Sequence, residues 1–275
     1  MRTLTPPNFS VREILGALGN GRRIDRVHEV ADEICDGELE YLAHADSATL
    51  SDLTPNHSGI DNDAGEDIRY AYDAKLVDKN GPARAFYNAL RTAPHNRCPV
   101  CLERDIGALD HFLPKERWPR LAIVPANLVP ICTACNGTKS SGWSADLDEQ
   151  YLHPYYDDLG TRAWVGATLL RVPGAPLVFK VIASADWDDV MCSRVTLHFE
   201  RFALAELFAN HASTLLASYD GQLQSIHALG GASAVRELLL GTASSFRGAA
   251  IDLWSSLAMQ TWGESDWFCD GGWRT

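Results

Sequence analysis

The sequence predicts an α+β protein with a mainly helical body, a short inserted segment bracketed by cysteines, and a small antiparallel sheet. Three observations support this class. Apolar residues recur at helical spacing towards both ends of the chain, two C-x-x-C pairs bracket an irregular central segment, and β-branched runs follow it. The chain has 275 residues, of which 46% are hydrophobic and 22% charged, as in a folded globular protein of one large or two modest domains.

The N-terminal region is predicted to be helical with one loop. Ser10 can cap a helix, and Glu13 follows three residues later, as in a capping box. The predicted elements are, in order, a helical stretch over 10–43, a loop over 46–66 rich in Ser, Asp, Asn, Pro and Gly, and a helical stretch over 67–92 broken at Asn80-Gly81-Pro82.

The C-terminal region is predicted to change from strands to helices. Three segments rich in β-branched and apolar residues are predicted strands: Ala167–Val172, Leu177–Ala183 and Arg194–Phe199. Helical spacing returns from Ala203 to about Met259, and the aromatic tail either closes the core or presents a surface to a partner. We therefore expect three regions, namely a helical region 1–92, an inserted module 93–158, and strands followed by helices over 159–275.

Four of the seven cysteines form two C-x-x-C pairs, Cys98 with Cys101 and Cys132 with Cys135. The odd cysteine count and the lack of a recognisable secretion signal argue against a disulfide framework, and we expect a cytoplasmic protein. Two such pairs can close a tetrahedral thiolate cage of the kind that Zn²⁺ prefers, and a cage of four protein ligands is structural. Each pair alone could instead be a redox dithiol, but two pairs bracketing one segment favour zinc.

Charge and hydropathy restrict the classes of partner. The formal net charge is -12, which counts against a general nucleic-acid binder, and no apolar run reaches the roughly 18 to 20 residues that a membrane span needs. The window from Arg84 to Trp143 differs, because it holds eight basic and four acidic residues. A basic island in an acidic chain indicates either a local binding site for a polyanion or an ordinary solvated surface.

The segment between the cysteine pairs carries residues suited to phosphodiester hydrolysis. We expect Asp110 and His111 at the end of a strand, and Asn136 in the first turn of a helix that follows a second short strand. Carboxylate and amide oxygens from Asp110 and Asn136 can bind Mg²⁺, and a neutral His111 can take a proton from water. An amide or a backbone carbonyl must orient the imidazole, and Asn127 is the candidate.

This set of residues resembles the HNH, or ββα-metal, nuclease family in its zinc-bracketed branch. The resemblance implies that His111 is the general base, Asp110 a metal ligand and Asn127 the central asparagine of the hairpin loop. Asn136 stands where many members have a third histidine, and an oxygen ligand there favours Mg²⁺ or Mn²⁺. The candidate contacts to nucleic acid are Lys115, Arg117, Lys139 and His153, and His153 is alternatively a packing residue.

The resemblance implies a metal-dependent endonuclease acting on nucleic acid, with DNA as the preferred substrate. The layout is similar to the HNH component of Septu-type or retron-associated phage-defence systems, in which an ATPase is the partner. Two other functions stay open. One is a non-catalytic zinc module that binds nucleic acid or protein, which does not require Asp110, His111 or Asn136. The other is a toxin-like nuclease with an immunity partner, which usually carries a delivery segment.

Overall fold

The structure is a computed structural model that describes Met1 and residues 3–55, 60–159, 164–249 and 254–274. The chain divides into two compact units, Met1–Leu159 and Gly160–Thr275. Helices and small antiparallel sheets occur together, so the predicted α+β class is confirmed. Within the described ranges, no helix combines the length and the apolar character needed to cross a membrane.

The first unit consists of helices around a two-stranded hairpin. Its elements are α1 (Val11–Ala17), α2 (Arg22–Glu29), α3 (Ala31–Asp46), α4 (Asn62–Ala71), a π-helical turn (Tyr72–Val77), α5 (Arg84–Leu90), β1 (Ala108–His111), β2 (Leu128–Ile131) and α6 (Thr133–Lys139). One apolar cluster joins the helices to the hairpin, and it includes Ile14, Leu76 and Leu128. The hairpin is therefore anchored on the same core as the N-terminal helices.

Local capping explains where the helices of this unit begin. The Glu13 carboxylate accepts a hydrogen bond from the Ser10 N–H at 2.8 Å, as the capping-box pattern predicts. The C-terminal boundary of the predicted loop 46–66 is wrong, because helix α4 already begins at Asn62. Asp61 caps that helix by accepting a hydrogen bond from the Ala64 N–H at 2.7 Å. Residues 56–59 of the predicted loop lie outside the described residues.

Buried charge fixes two of these helices to each other. Asp67 on α4 is fully buried and forms ion pairs with Arg23 and Arg26 on α2. A buried carboxylate is tolerated only when it is paired, so this contact sets how α2 lies on α4. The continuation of α4, which begins at Tyr72, is thereby held in place.

The second unit consists of a β-hairpin and helices. Its elements are β3 (Val165–Leu169), β4 (Leu177–Val181), α7 (Asp189–Arg201), α8 (Leu204–Ala249), α9 (Trp254–Gly263) and a second π-helical turn (Phe268–Gly272). The tail aromatics Trp262, Phe268 and Trp273 are buried, so they close the core of this unit. Residues 250–253 of the predicted C-terminal helix lie outside the described residues.

The predicted strand Arg194–Phe199 is wrong, because this segment lies inside helix α7. Asp188 caps the helix by accepting a hydrogen bond from the Met191 N–H at 2.7 Å. Val195 and Phe199, four residues apart, are both buried, which is the spacing of one helix face. Packing and capping therefore override the local preference of β-branched residues for strands.

Candidate active site

The β1–β2 hairpin and helix α6 place the predicted residues close together. The strands pair antiparallel, with His111 opposite Leu128 and Asp110 opposite Val129. Asp110 and His111 are thus the last two residues of β1, at the end of the hairpin where the connecting loop 112–127 begins. Asn136 lies in α6, which follows β2 almost directly. The order strand, loop, strand and helix agrees with the order that the sequence predicts.

The four cysteines of the C-x-x-C pairs form one buried cluster. The Sγ atoms of Cys98, Cys101, Cys132 and Cys135 all lie within 4.8 Å of one another. Cys101 Sγ and Cys132 Sγ are 3.9 Å apart, close to the roughly 3.8 Å that separates ligands on a tetrahedral zinc ion with Zn–S bonds of about 2.3 Å. The donor set and its spacing fit Zn²⁺.

The four sulfurs interact strongly with one another. Hydrogen bonds among the thiols lower the pKa of Cys101, that of Cys132 foremost, and raise the pKa of Cys98 and Cys135. The N–H of Cys135 donates to Cys132 Sγ at 3.3 Å, so this sulfur caps the start of α6. Burial lowers the pKa of Arg104, but the charges of Cys101, Cys132 and Cys135 together raise it above its usual value. Such outer contacts are typical of a structural metal site.

Asp110 is buried and paired with a lysine from α6. Its Oδ2 atom lies 3.0 Å from Lys139 Nζ, and the two side chains are 8% and 4% exposed. Burial raises the pKa of Asp110 to about 6, against the opposing effect of Lys139. Asp110 lines a pocket, and of the described residues Lys139 is not one that lines it. Lys139 is thus a buried partner of Asp110 rather than part of the described pocket lining.

A backbone carbonyl orients His111. Its Nε2 atom lies 2.9 Å from the carbonyl oxygen of Ala122. Because a carbonyl can only accept, Nε2 carries the proton and Nδ1 keeps a lone pair in the neutral ring. Burial lowers the pKa of His111 to about 3, so the ring is neutral at pH 7. Among the described residues, no hydrogen-bond partner faces Nδ1.

Asn127 has a different contact from the predicted one. Its side chain is fully buried and holds the backbone of the loop between the strands. The amide oxygen accepts from the Leu113 N–H at 2.7 Å, and the amide nitrogen donates to the carbonyls of Leu113 and Leu121 at 3.0 and 3.2 Å. The carbonyl of Ala122, rather than the Asn127 amide, thus contacts the His111 ring. Asn127 supports the loop that supplies this carbonyl.

A pocket of about 570 Å³ opens at the end of the hairpin. It is lined by Tyr72, Leu109, Asp110, His111, Pro114, Lys115, Glu116, Asn136, Gly137, Ser140 and Ser141. The three residues predicted to act on substrate or metal, Asp110, His111 and Asn136, therefore face one cavity. The pocket also carries one ammonium, from Lys115, beside carboxylates of both Asp110 and Glu116.

Sequence reasoning missed the contribution of the N-terminal helices to this pocket. Tyr72, from the π-helical turn, packs its ring edge-on against His111 with 4.4 Å between ring centroids. Asp73 forms an ion pair with Lys115 at 3.0 Å. Neither residue belongs to a recognisable motif, and a tyrosine at helical spacing is normally a core residue. Only tertiary packing brings them to the hairpin.

The four candidate contacts to nucleic acid differ in their environment. Lys115 lines the pocket, and the exposed Arg117 lies over the Trp143 ring at 5.0 Å. Lys139 is 3% exposed and pairs with Asp110, and its Nζ also donates to the His111 carbonyl at 2.8 Å. His153 is 1% exposed and lies 2.8 Å from the Tyr41 hydroxyl, inside an aromatic cluster. Burial favours structural roles for Lys139 and His153.

Comparison with known proteins gives two relatives. No protein-family model and no solved structure matches the chain. It is 34% identical over 172 residues to protein ea31 of Escherichia phage lambda, covering 60% of this chain and 57% of that protein. It is 34% identical over 74 residues to the Septu protein PtuB of Bacillus thuringiensis, covering 25% of this chain and 28% of that protein. The chain thus spans little more than half of one relative and about a quarter of the other. It resembles these proteins over part of its length and contains a cysteine cluster suited to a metal ion.

Proposed function

We propose that the protein is a metal-dependent endonuclease of the HNH type that hydrolyses phosphodiester bonds of nucleic acid, with DNA as the preferred substrate. One observation carries the proposal. Asp110, His111 and Asn136 line the same pocket beside a four-cysteine cluster, and His111 is held in the tautomer that a general base requires. A module that only binds nucleic acid has no need for this combination.

In this proposal His111 accepts a proton from the attacking water at Nδ1. The hydrogen bond from Nε2 to the Ala122 carbonyl fixes the tautomer and the direction of the ring. Burial keeps the ring neutral, and therefore able to accept a proton, throughout the physiological pH range. An anionic phosphate beside the ring would raise the His111 pKa towards the range in which a base is most effective.

Asp110 and Asn136 are the residues that would hold a divalent cation. Both line the pocket, and both offer oxygen, the ligand atom that Mg²⁺ and Mn²⁺ prefer. Asp110 fits this role because it lines the pocket and the buried Lys139 ammonium favours its charged form. When bound, such a cation supplies charge stabilisation for the scissile phosphate and its leaving oxygen.

Lys115 and Arg117 are the proposed phosphate contacts. Lys115 brings an ammonium into the pocket, and Arg117 is exposed close to it in the chain. Several other cations of the basic island serve the fold, because Arg120 and Lys139 are buried in ion pairs with Glu40 and Asp110. With so few free cations, we infer that tight binding of nucleic acid depends on a partner subunit.

The proposed setting is bacterial phage defence with an ATPase as the partner. The similarity to the Septu protein PtuB supports this setting over a quarter of the chain. The excess of acidic residues outside the basic island also supports a partner, because an acidic chain binds a polyanion poorly on its own.

The proposal is tested by incubating the purified protein with supercoiled plasmid DNA and Mg²⁺ or Mn²⁺, with and without a chelator. We expect nicking by the wild type and none by His111→Ala, with equal zinc content in both proteins. His28→Ala is the matched control, because His28 is an exposed histidine on α2 and should leave cleavage unchanged. Equal cleavage by His111→Ala would refute the assignment of the base. A zinc-loaded protein that shifts DNA in a gel without cutting it, even beside its partner, would favour the non-catalytic module.

A further inference from the structure

Residues outside the cysteine-bracketed module take part in the pocket. The side chain of Tyr72 is 6% exposed, and it lines the cavity together with Asp110, His111 and Asn136. It belongs to the π-helical turn that continues helix α4. Single π-turns inside helices occur frequently at functional sites, because the wider turn redirects side chains. Tyr72 is thus brought to the pocket by a helical segment that lies outside the module.

The chain that follows the π-turn holds it in place. The N–H of Ala83 donates to the Lys75 carbonyl at 3.1 Å, so the segment after the turn folds back on it. Gly81 permits this approach, because a Cβ atom there would lie 2.3 Å from the Lys75 oxygen. Leu76 is fully buried in the apolar core. The backbone that carries Tyr72 is thus held by the burial of Leu76 and by the hydrogen bond from Ala83 to Lys75.

Two contacts join Tyr72 to strand β1, and a third joins it to Lys115 in the loop that follows. Its ring meets the His111 imidazole edge-on, with centroids 4.4 Å apart and an interplanar angle of 62°. Its hydroxyl donates to the Leu109 carbonyl at 3.4 Å. Lys115 Nζ lies 4.7 Å from the centre of the same ring. Tyr72 therefore touches the residues on both sides of Asp110.

The contact between Tyr72 and His111 restricts a rotation of the imidazole ring that the hydrogen bond to Ala122 still allows. A bond at Nε2 fixes the far end of the imidazole, but the ring plane can still rotate about the axis running from Cβ towards that end. Such rotation would swing Nδ1 away from the pocket. The Tyr72 ring at 4.4 Å blocks this rotation by direct packing.

We propose that Tyr72 is a positioning residue for His111, so that the N-terminal helices complete the active site of the module. This inference rests on the proposed function, because positioning matters only if His111 takes a proton from water. Tyr72 acts through His111 and does not contact the reacting atoms. The aromatic ring is the part that matters, since its hydroxyl bond of 3.4 Å is long.

The test compares Tyr72→Leu, Tyr72→Met and Tyr72→Phe. Loss of the ring should lower kcat by about 100-fold, as expected for a misplaced catalytic group. The KM and the zinc content should stay within about twofold of wild type. Tyr72→Phe keeps the ring and should keep most of kcat. Tyr72→Met is included because its flexible side chain fills the gap if Tyr72→Leu does not fold.

Tyr155 offers a matched control. It is 7% exposed, and its hydroxyl donates to the Leu128 carbonyl on the partner strand β2 at 3.0 Å. Tyr155→Leu removes an equally buried ring that packs against the same hairpin, but this ring is not part of the described pocket lining. We expect it to lower stability without a comparable loss of kcat.

Histidine ring signals in NMR spectra give a readout independent of cleavage. The His111 signal, identified by its absence in His111→Ala, should shift in Tyr72→Leu through loss of the aromatic ring current. It should not shift in Tyr155→Leu. Wild-type kcat and an unmoved His111 signal in Tyr72→Leu would overturn the positioning role alone. A wild-type protein without phosphodiesterase activity, both alone and beside its partner, would overturn the proposed function, and the positioning role with it.

Discussion

Lys139 Nζ lies 3.0 Å from Asp110 Oδ2 and 2.8 Å from the carbonyl oxygen of His111, so one buried ammonium holds both residues of the Asp-His pair. The lysine comes from the last turn of α6, and the pair ends β1. Helix and strand are thereby fixed to each other next to the pocket. The carboxylate that we propose as a metal ligand is thus positioned by a buried cation.

Removal of this ammonium should destabilise the first unit. Lys139→Met leaves a buried carboxylate unpaired, which costs about 3 to 5 kcal/mol. Hydrogen exchange of the β1 and β2 amides during urea titration measures this loss within the first unit. Asp110→Leu combined with Lys139→Met should recover much of the stability, because it removes both charges. The ion pair between Lys115 and the exposed Asp73 supplies the control. Lys115→Met breaks this pair and should lower the free energy of unfolding by less than about 1 kcal/mol. An unchanged stability of Lys139→Met would contradict the buried pair.

Substitution of Asn127 should lower the free energy of unfolding more than substitution of an ordinary loop residue. Asn127→Ala leaves the Leu113 N–H and two carbonyls without their partner, which costs about 3 kcal/mol. Asn127→Asp should cost at least as much, because an oxygen would replace the donor that faces two carbonyls. Thermal unfolding of both variants checks this expectation. Asn88→Ala, at an exposed position on α5, should change stability by less than about 0.5 kcal/mol.

Asp73 should compete with nucleic acid for Lys115. The two side chains form an ion pair at 3.0 Å at the pocket, where Asp73 is 63% exposed. Asp73→Asn frees the ammonium, so binding should tighten about two- to fivefold, and the salt dependence should steepen by about one phosphate contact. Binding of a DNA duplex to the His111→Ala background measures both effects without cleavage. Asp105→Asn breaks the exposed pair with Arg97 and should change neither quantity. Weaker binding by Asp73→Asn would refute the competition.

The cysteine cluster should bind one zinc ion per chain. Cys132→Ser removes a ligand and the sulfur that caps α6, so the zinc should be lost and the amides of α6 should exchange faster. Cys35→Ser changes a half-buried thiol outside the cluster and should keep the zinc. Metal analysis by mass spectrometry, together with hydrogen exchange, checks both. A folded and active Cys132→Ser protein without zinc would contradict a structural role.

Affinity for zinc should fall on acidification. The ligands bind as thiolates, so metal binding releases protons, and a lower pH favours the protonated, metal-free cluster. Arg104 and the Cys135 N–H stabilise the thiolates and should limit this loss to acidic conditions. Competition with a chromophoric chelator between pH 5 and 8 measures the trend.

Several features of the first unit could be predicted because they depend on short-range rules. The cysteine spacing predicts a cluster, since a C-x-x-C turn brings two sulfurs to one point. The Ser10–Glu13 capping box predicts the start of α1, and Pro and Gly punctuation predicts the order of strand, loop, strand and helix. Each depends on residues within a few positions of one another.

The wrong strand at Arg194–Phe199 shows where short-range rules fail. The segment contains Val195 and Thr196, which favour strands weakly, yet it folds as the middle of α7. Its buried positions have helical spacing, and the Asp188 cap starts the helix before the β-branched residues begin. The choice depends on which neighbours bury Val195 and Phe199, and the local pattern does not contain those neighbours.

The sequence by itself determined the helical body, the cysteine cluster and the neighbourhood of Asp110, His111 and Asn136. These follow from spacing, because residues adjacent in the chain or joined by a hairpin must lie close together. Only the tertiary structure decided that Ala122 orients His111, that Lys139 pairs with Asp110, and that Tyr72 packs on the imidazole. These partners come from different parts of the chain, and burial in one shared core brings them together.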